Sequence, residues 1–286
     1  MSDVSIIQNL AHNLQRSSGR TRLSFKSIAN RTAIDELYQQ GCCKVRFPMR
    51  TDNSLEAVLL NTAGGLTDGD TIDNDFCWKA GSRGTVTTQA AERIYRAAGE
   101  DSARVSTRVR IEENCIACWL PQETIIFEGS RLARALEIDV ASDSRLLAIE
   151  STVFGRRAMG ETVTTGRLSD RWRIRLDGRL VFADSFLLDD GLAGPIDEHL
   201  GRPSVGDAAT CLATIVVVAE DCDDAVGVVR AMETPPNARI GASCLGPITV
   251  VRILAPDSQI MRGIFGRMYT KLGRAFGMEL PRVWHC

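Results

Sequence analysis

Alternation of apolar and polar residues dominates the chain from about residue 20 to residue 200. The segments from Arg108 to Glu112 and from Arg171 to Leu176 place charged side chains on one face and apolar side chains on the other. Successive side chains of a β-strand point to opposite faces, so this pattern predicts strands with one buried face. Eleven segments of this kind follow one another, rich in Val, Ile, Thr and Phe: TRLSFKSI, KVRFPM, LEAVLLNT, TVTTQA, ARVSTRVRIE, TIIFEG, ALEIDVAS, RLLAIEST, ETVTTGRL, RWRIRLDG and RLVFADSFLL.

Turn-forming residues separate these segments at short intervals. Asp177-Gly178 lies between two apolar runs, and an Asp-Gly pair in this position predicts a β-hairpin. Many short, evenly spaced strands favour a layered, barrel-like or helically coiled β architecture over alternating βαβ units. The other predicted turns are Gly64-Gly65, Asp68-Gly69-Asp70, Ala80-Gly81 and Gly129-Ser130.

Helical periodicity occurs in only two stretches, both in the last third of the chain. Asp221 to Glu233 begins with acidic residues and is followed by Pro235-Pro236, as a helix start and stop would be. Asp257 to Met278 carries apolar residues at four-residue steps, which predicts a long amphipathic helix. No linker rich in Pro, Ser or charge divides the chain. We therefore expect a single domain over residues 1–286, with poor order over residues 1–18.

The composition argues against several classes of protein. Hydrophobic residues make up 44% and charged residues 24% of the chain, as in a globular protein with a real core. The formal net charge of −2 offers no basic excess, so we expect no nucleic-acid partner and no membrane association. Apolar runs are too short to span a bilayer, and the N-terminus lacks the features of a signal peptide, which predicts a cytoplasmic location.

The nine cysteines are odd in number and irregular in spacing, which argues against a disulfide framework. In a reducing compartment we expect them to be thiols. Cys115 and Cys118 form a C-x-x-C motif inside a strand-like run, where residues three apart point to opposite faces. This placement favours two buried thiols over a shared zinc or redox site.

Common catalytic motifs are missing from the sequence. The segment from Gly64 to Gly69 has no following Lys-Ser/Thr, so it is not a phosphate-binding loop, and no Ser lies in a G-x-S-x-G elbow. The three histidines, His12, His199 and His285, are scattered, which argues against a His-based active site. The enzyme class left open is a glycosidase with paired carboxylates.

Several carboxylates lie beside apolar strands. Glu150 ends the run LLAIE, and Asp184 ends LVFAD. A carboxylate inside a β core must be hydrated, neutralised or paired with a cation. Each of these groups could hold a divalent ion, or could be a solvated or Arg-paired residue at a strand end. Further candidates of this kind are Glu123, Glu128, Asp68 and Asp70.

Five segments carry more specific patterns and follow one another along almost the whole chain. They are NTAGGLTDGD (Asn61 to Asp70), TTQAAERIYR (Thr87 to Arg96), WLPQETIIFEG (Trp119 to Gly129), LLAIESTVFGRRAMGE (Leu146 to Glu161) and PRVW (Pro281 to Trp284). In this order they resemble the motifs of the UreD family of urease accessory proteins, called UreH in some systems. One such match would be weak, whereas five in register are specific.

The resemblance implies a mainly β fold, a β-helix-like stack of short strands with two α-helices in the C-terminal third. It also implies a urease maturation factor that is not itself an enzyme. Such a scaffold binds a UreF-type accessory protein, recruits a UreG-type GTPase through it, and docks on apo-urease. Nickel then passes through an internal polar tunnel to the urease active site, so we expect no tightly bound cofactor and nickel only in transit.

The tunnel positions that the resemblance implies are Asp70, Glu92, Glu150 and Asp184. Carboxylates and water hold nickel more loosely than imidazole or thiolate, which suits ligands that must release the ion. Two alternatives stay open: a carboxylate-dependent carbohydrate-active enzyme on a β-helix, and a structural β protein whose acidic residues pair with arginine. We expect His285 and Cys286 to belong to a disordered tail.

Overall fold

The computed structural model describes residues 15–156, 159–219 and 222–285. Strands make up 51% of the chain and coil into a β-solenoid of about four turns, which confirms the predicted fold class. The first nine strands are β1 (Ser18–Ile28), β2 (Arg31–Gly41), β3 (Cys43–Arg46), β4 (Leu55–Asn61), β5 (Thr71–Trp78), β6 (Arg83–Thr88), β7 (Glu92–Ile94), β8 (Ala103–Ile111) and β9 (Ile116–Leu120).

The second half of the chain adds eight strands and the helices. The strands are β10 (Thr124–Ile126), β11 (Ser130–Val140), β12 (Arg145–Phe154), β13 (Gly166–Leu176), β14 (Arg179–Asp189), β15 (Cys211–Val218), β16 (Arg239–Leu245) and β17 (Ile248–Ala255). The helices are α1 (Asp190–Ala193), α2 (Ile196–Gly201), α3 (Cys222–Arg230), α4 (Ser258–Phe276) and a 3₁₀ helix (Arg282–His285).

A seven-stranded sheet, the first sheet, has the order β14-β13-β11-β8-β5-β1-β2. Its five central strands run parallel, and β2 and β14 close the two edges as antiparallel hairpin partners. The register aligns one apolar residue from each of six strands, all except β2, at the same level: Leu23, Phe76, Val109, Ile138, Ile174 and Phe182. The predicted Asp177-Gly178 turn joins β13 to β14, with both residues at positive φ (49° and 76°).

A ten-stranded sheet, the second sheet, has the order β16-β17-β15-β12-β9-β6-β4-β3, with β10 paired to β12 and β7 paired to β10. Strands β4, β6, β9 and β12 are parallel, whereas β15, β16 and β17 extend the sheet antiparallel. In the solenoid part, the chain passes back and forth between the two sheets. Their inner faces therefore oppose each other along the whole stack.

Large apolar side chains fill much of the space between the sheets. Phe25 stacks on Trp78 with ring centroids 4.9 Å apart, and Phe76 contacts Trp119 at 5.5 Å. All four side chains are buried. Because aromatic groups bury large areas, this cluster is a main source of the free energy that holds the sheets together.

Helix α4 covers the outer face of the second sheet. It begins at Asp257, whose carboxylate accepts a hydrogen bond from the Ile260 amide (2.7 Å), and ends at Gly277 with a positive φ. Its buried stripe includes Ile264 and Phe265. The prediction for residues 257–278 is confirmed. The other predicted helix begins at Cys222, and the predicted start, Asp221, lies outside the described residues.

The cysteine predictions have a mixed outcome. Cys115 and Cys118 are buried on opposite faces, one in the inter-sheet core and the other under α4, which confirms that they do not form one site. The structure places Cys222 and Cys244 side by side, with their Cα atoms 5.9 Å apart, within the range of a disulfide, so the thiol expectation stays a prediction for this pair. Helix α3 packs beside β16 and brings the two side chains together.

The C-terminus differs from expectation, whereas most of the N-terminal segment is not described. Residues 1–14, including His12, and Cys286 lie outside the described residues, and β1 already begins at Ser18. A disordered tail is the wrong description for His285, which ends the 3₁₀ helix. Trp284 anchors this helix, because its indole Nε1 donates a hydrogen bond to the Leu120 carbonyl (3.1 Å).

Candidate functional site

A cavity of about 220 Å³, the first cavity, lies between the sheets and has both apolar and polar lining residues. Its walls come from the inner faces of both sheets, at positions where polar residues interrupt the apolar alternation. Asn74 and Thr107, neighbours in the register of β5 and β8, take the place of the aromatic and aliphatic residues found one level further along. Other lining residues include Thr21, Cys43, Asn61, Thr88, Glu92, Trp119, Gln122, Thr124, Arg134 and Glu150.

A second cavity of about 230 Å³ lies beside the first, towards β14 and β17. Arg134 and Glu150 line both cavities, so the two spaces meet at this pair. The second cavity is lined by Arg134, Glu150, Thr152, Asp170, Asp184, Ser185, Phe186, Leu212, Ala213, Thr214, Arg252, Ile253 and Leu254.

Arg134 is the central group at this junction. Its Nη1 forms an ion pair with Glu150, and its Nη2 lies 2.5 Å from Asp170 Oδ2. Nη1 also donates to Thr124 Oγ1 (3.0 Å). Burial alone would lower the pKa of Arg134, but the two carboxylates outweigh it and raise the pKa, so the guanidinium stays charged.

Glu150, on β12, faces this guanidinium from the second sheet. Its side chain is 7% exposed, and Trp119 Nε1 donates a hydrogen bond of 2.9 Å to its Oε1. Burial raises the pKa of the Glu150 carboxyl above its ordinary value, and the Arg134 guanidinium opposes that effect. The group can therefore bind a cation only in competition with Arg134.

Glu92, on β7, faces the first cavity without so strong a partner. Asn61 Nδ2 donates to both carboxylate oxygens, at 3.1 and 3.3 Å. Burial raises the pKa of Glu92 to about 7, and the hydrogen bonds from Asn61 offset only part of that rise. This carboxyl therefore gains and loses its proton near neutral pH.

Asp184, on β14, lies at the far side of the second cavity. Its Oδ2 is 2.7 Å from Arg252 Nη2, and about a quarter of its side chain is exposed. Arg252 also donates to Thr214 Oγ1. Glu150 and Asp184 thus line an internal space and pair with arginine at the same time, which combines two of the arrangements that the sequence left open.

Asp70 occupies a different environment from the other three predicted residues. Its Oδ1 accepts from the Ser17 amide (2.6 Å) and its Oδ2 from the Thr67 amide (2.8 Å). Both bonds fix the turn between β4 and β5, and within the described residues Asp70 is not part of either cavity wall. The structure therefore brings Glu92, Glu150 and Asp184 to the cavities and leaves Asp70 in the adjoining turn.

The other candidate carboxylates, Asp68, Glu123 and Glu128, stabilise local structure. Asp68 accepts from Arg16 Nη2 (2.8 Å) and from the Ala98 amide (2.9 Å), and these bonds outweigh burial and lower its pKa. Glu123 pairs with Arg262 at 2.9 Å. The carboxylate of Glu128 accepts hydrogen bonds from the backbone amides of Thr164 and Thr165.

The segments that carry the family resemblance assemble next to the first cavity. Tyr95 packs over Gly65, where a Cβ would lie 2.4 Å from the ring, and its hydroxyl donates to the Gly64 carbonyl (3.0 Å). The Tyr95 ring meets Phe127 edge to face at 5.2 Å, and the Arg156 guanidinium lies 4.3 Å from the Phe127 centroid. Four motifs far apart in sequence thus form one contiguous cluster.

Arg134 and Asp170 are the site residues that the sequence reasoning missed. A signal was present: Arg134 shares strand parity with Leu132, Leu136 and Ile138, and Asp170 shares it with Leu168 and Trp172. A charged residue on the apolar face of an alternating strand is buried unless the strand twists away, so parity alone marks both side chains as internal.

Comparison with known proteins gives a consistent result. The family profile described as "UreD urease accessory protein" matches residues 17–285. The chain belongs to the UreD family. A UreD protein of Chelativorans sp. (strain BNC1) is 42% identical over 275 residues, 95% of each chain. A UreD protein of Brucella suis is 40% identical over 282 residues, covering 96% of this chain and 97% of that protein.

Membership of the UreD family settles the general role. The chain is a urease maturation factor, an accessory protein rather than an enzyme, so the carbohydrate-active alternative has no support. An accessory role of this kind implies contact with urease and with other accessory proteins. None of the described helices is both long and apolar enough to cross a membrane.

Proposed function

We propose that this UreD-family chain docks on apo-urease together with a UreF-type protein and a UreG-type GTPase, and that nickel ions pass through its two cavities. The observation that carries the proposal is that the cavities meet at Arg134 and Glu150 and are lined by three of the four carboxylates predicted from sequence. A route of this kind keeps the ion away from bulk chelators until it reaches the urease active site.

The chemistry of the lining suits transit rather than storage. Oxygen ligands hold Ni²⁺ less tightly than imidazole or thiolate does, so the ion can leave each position. The proposed setting is the cytoplasm, where the six free thiols of the described residues stay reduced.

Urease activation by the reconstituted accessory proteins tests this function. The variants Glu92→Gln, Glu150→Gln and Asp184→Asn each remove a charge from the cavity walls with little change in shape. We expect urease activation to fall by about tenfold or more in the combined variant, as for loss of groups that hold a metal. Co-purification with the partners and with apo-urease should stay as in the wild type.

Matched controls remove carboxylates elsewhere. Glu36, on β2, and Asp139, on β11, are exposed and outside both cavities. Glu36→Gln and Asp139→Asn should leave activation unchanged. If the cavity variant activates urease as well as these controls do, the nickel route is wrong and the chain acts as a docking scaffold alone. If the cavity variant no longer binds its partners, the three cavity carboxylates must be assigned a structural role instead.

A further inference from the structure

A buried cation lies in the middle of the proposed cation route. Arg134 is 7% exposed and lines both cavities, and its charge is permanent. A positive charge at this point repels a second cation that approaches from either side. The passage of a metal ion therefore requires Arg134 to leave its position or to be replaced there.

The guanidinium bridges carboxylates from opposite sheets. Asp170 belongs to β13 of the first sheet and Glu150 to β12 of the second, and both line the second cavity. One guanidinium carries a single positive charge against two carboxylates. A divalent cation between the same two groups would balance both charges, which a guanidinium cannot do.

The polar bonds at this point are incomplete. Within the described residues, Arg134 Nε and Asp170 Oδ1 are buried and have no hydrogen-bond partner. Buried polar atoms are ordinarily satisfied, and an unpaired atom costs free energy that a better-suited occupant would recover. Asp170 Oδ1 is thus a free acceptor on the wall of a cavity of about 230 Å³.

We propose that Arg134 is a resident cation in a divalent-metal site formed by Glu150 and Asp170, and that its displacement by the incoming ion opens the connection between the two cavities. The proposal rests on the proposed function, whose route it refines. Thr124 Oγ1 and Thr152 Oγ1, which accept hydrogen bonds from Arg134 at 3.0 and 3.4 Å, offer further oxygen atoms at the same position. Oxygen ligands of this kind suit Mg²⁺ and Mn²⁺, and they hold Ni²⁺ more loosely than imidazole does.

This arrangement explains why the gate is an arginine. Two carboxylates without a cation would each be desolvated and unpaired, which would destabilise the folded chain. A planar guanidinium reaches both carboxylates at once, whereas an ammonium group is a point charge that satisfies fewer acceptors. Arg134 therefore keeps the empty site folded and excludes weakly binding monovalent ions.

Metal binding by the full-length chain, purified with its accessory partner and without urease, tests the gate directly. Equilibrium dialysis with NiCl₂ is compared for the wild type, Arg134→Met and Arg134→Met/Asp170→Asn. In Arg134→Met the competing cation is gone. We therefore expect the affinity for one Ni²⁺ at the Glu150–Asp170 site to be at least about tenfold higher than in the wild type. The double variant should lose this gain, as expected for removal of a ligand. Mn²⁺ electron paramagnetic resonance gives the same comparison in a second readout.

Folding is monitored by circular dichroism, and Arg134→Lys provides a milder variant because it keeps a positive charge. If Arg134→Met does not fold, Arg134→Lys should still show a smaller gain of affinity, since a single ammonium group holds the two carboxylates less well. A folded Arg134→Met or Arg134→Lys chain that binds no more Ni²⁺ than the wild type overturns the proposal. A gain that survives Asp170→Asn overturns the assignment of the ligands.

These outcomes are independent of the activation assay. Failure of the cavity variants to impair urease activation would reject the nickel route, whatever the dialysis result. In that case, a gain of Ni²⁺ binding in Arg134→Met would still demonstrate a metal site at Glu150 and Asp170. Conversely, impaired activation without any gain of binding would keep the route and reject the gate.

Discussion

Glu92 shows how one buried side chain couples stability to pH. Burial raises its pKa from an ordinary value of 4.5 to about 7 in the folded chain. The folded state therefore holds its proton to a higher pH than the unfolded state does. The contribution of this group to stability is intact below pH 4.5 and is lost as pH rises through 7.

Replacement of Glu92 by glutamine should remove this dependence. Relative to Glu92→Gln, we expect the wild type to lose on the order of 1–3 kcal/mol of unfolding free energy between pH 4.5 and pH 8. Urea denaturation of both chains across this range measures the difference. A constant difference between the two chains at all pH values would show that Glu92 does not titrate in this window.

A site residue could be predicted from the sequence where its own local pattern was unusual. Glu150 and Asp184 end apolar runs, so a local pattern marks them as unusual. Arg134 and Asp170 instead make a pair 36 positions apart, which only the alignment of β11 with β13 brings together. Glu92, on a strand of three residues, carries no local signal apart from the family resemblance.

At the scale of the element, the sequence predicts strands where alternation is strong and misses them where it is weak. Strand β2 is exposed along most of its length at a sheet edge, so few of its positions needed to be apolar. Strand β5 reads TIDNDFCW, and its inward Asn74 lines the first cavity. The short helices α1 and α2 have too few turns for a period to be visible. Elements that serve an edge or a cavity thus depart from the core pattern.

Helix α4 provides a test of how the outer layer is held. Phe265 is fully buried, and its ring lies 4.5 Å from Trp284 and 6.0 Å from Tyr269. Truncation to alanine should cost about 3–5 kcal/mol, because it removes a large buried group and leaves a void. Chemical denaturation measures the loss.

Thr270→Ala is the matched control in the same helix. The Thr270 side chain is exposed, and its hydroxyl donates only to the Gly266 carbonyl within the helix (2.9 Å). We expect its stability to stay within about 0.5 kcal/mol of the wild type. If the truncation of Phe265 cost as little as Thr270→Ala, the packing of α4 would contribute little to the stability of the chain.

At the scale of the whole molecule, two opposed sheets enclose both a close-packed core and two cavities. The parallel stack places paired residues of neighbouring strands at the same level. Phe76 and Val109 form a close-packed level, whereas Asn74 and Thr107, two residues earlier on each strand, line the first cavity. The fold class followed from strand spacing and family resemblance. The position of the cavities did not, because it depends on how levels from two sheets face each other.

This view predicts that the space can be filled without loss of the fold. Thr107 is buried and lines the first cavity of about 220 Å³. In Thr107→Phe the larger ring can enter existing space, but the hydrogen bond from Asn74 Nδ2 to Thr107 Oγ1 is lost, so we expect a decrease in unfolding free energy of about 1–2 kcal/mol. Urease activation should nevertheless fall by about tenfold or more, because the ring obstructs the path between Glu92 and Glu150.

Ser106→Phe is the matched control for this obstruction. Ser106 precedes Thr107 on β8 and has opposite strand parity, so its side chain points away from the inter-sheet space. Denaturation, partner co-purification and urease activation are measured for both variants. Full activation by a folded, partner-bound Thr107→Phe chain would show that nickel does not cross the first cavity. Impaired activation in Thr107→Phe alone would place the ion's path inside the molecule, since the two substitutions add the same ring one residue apart.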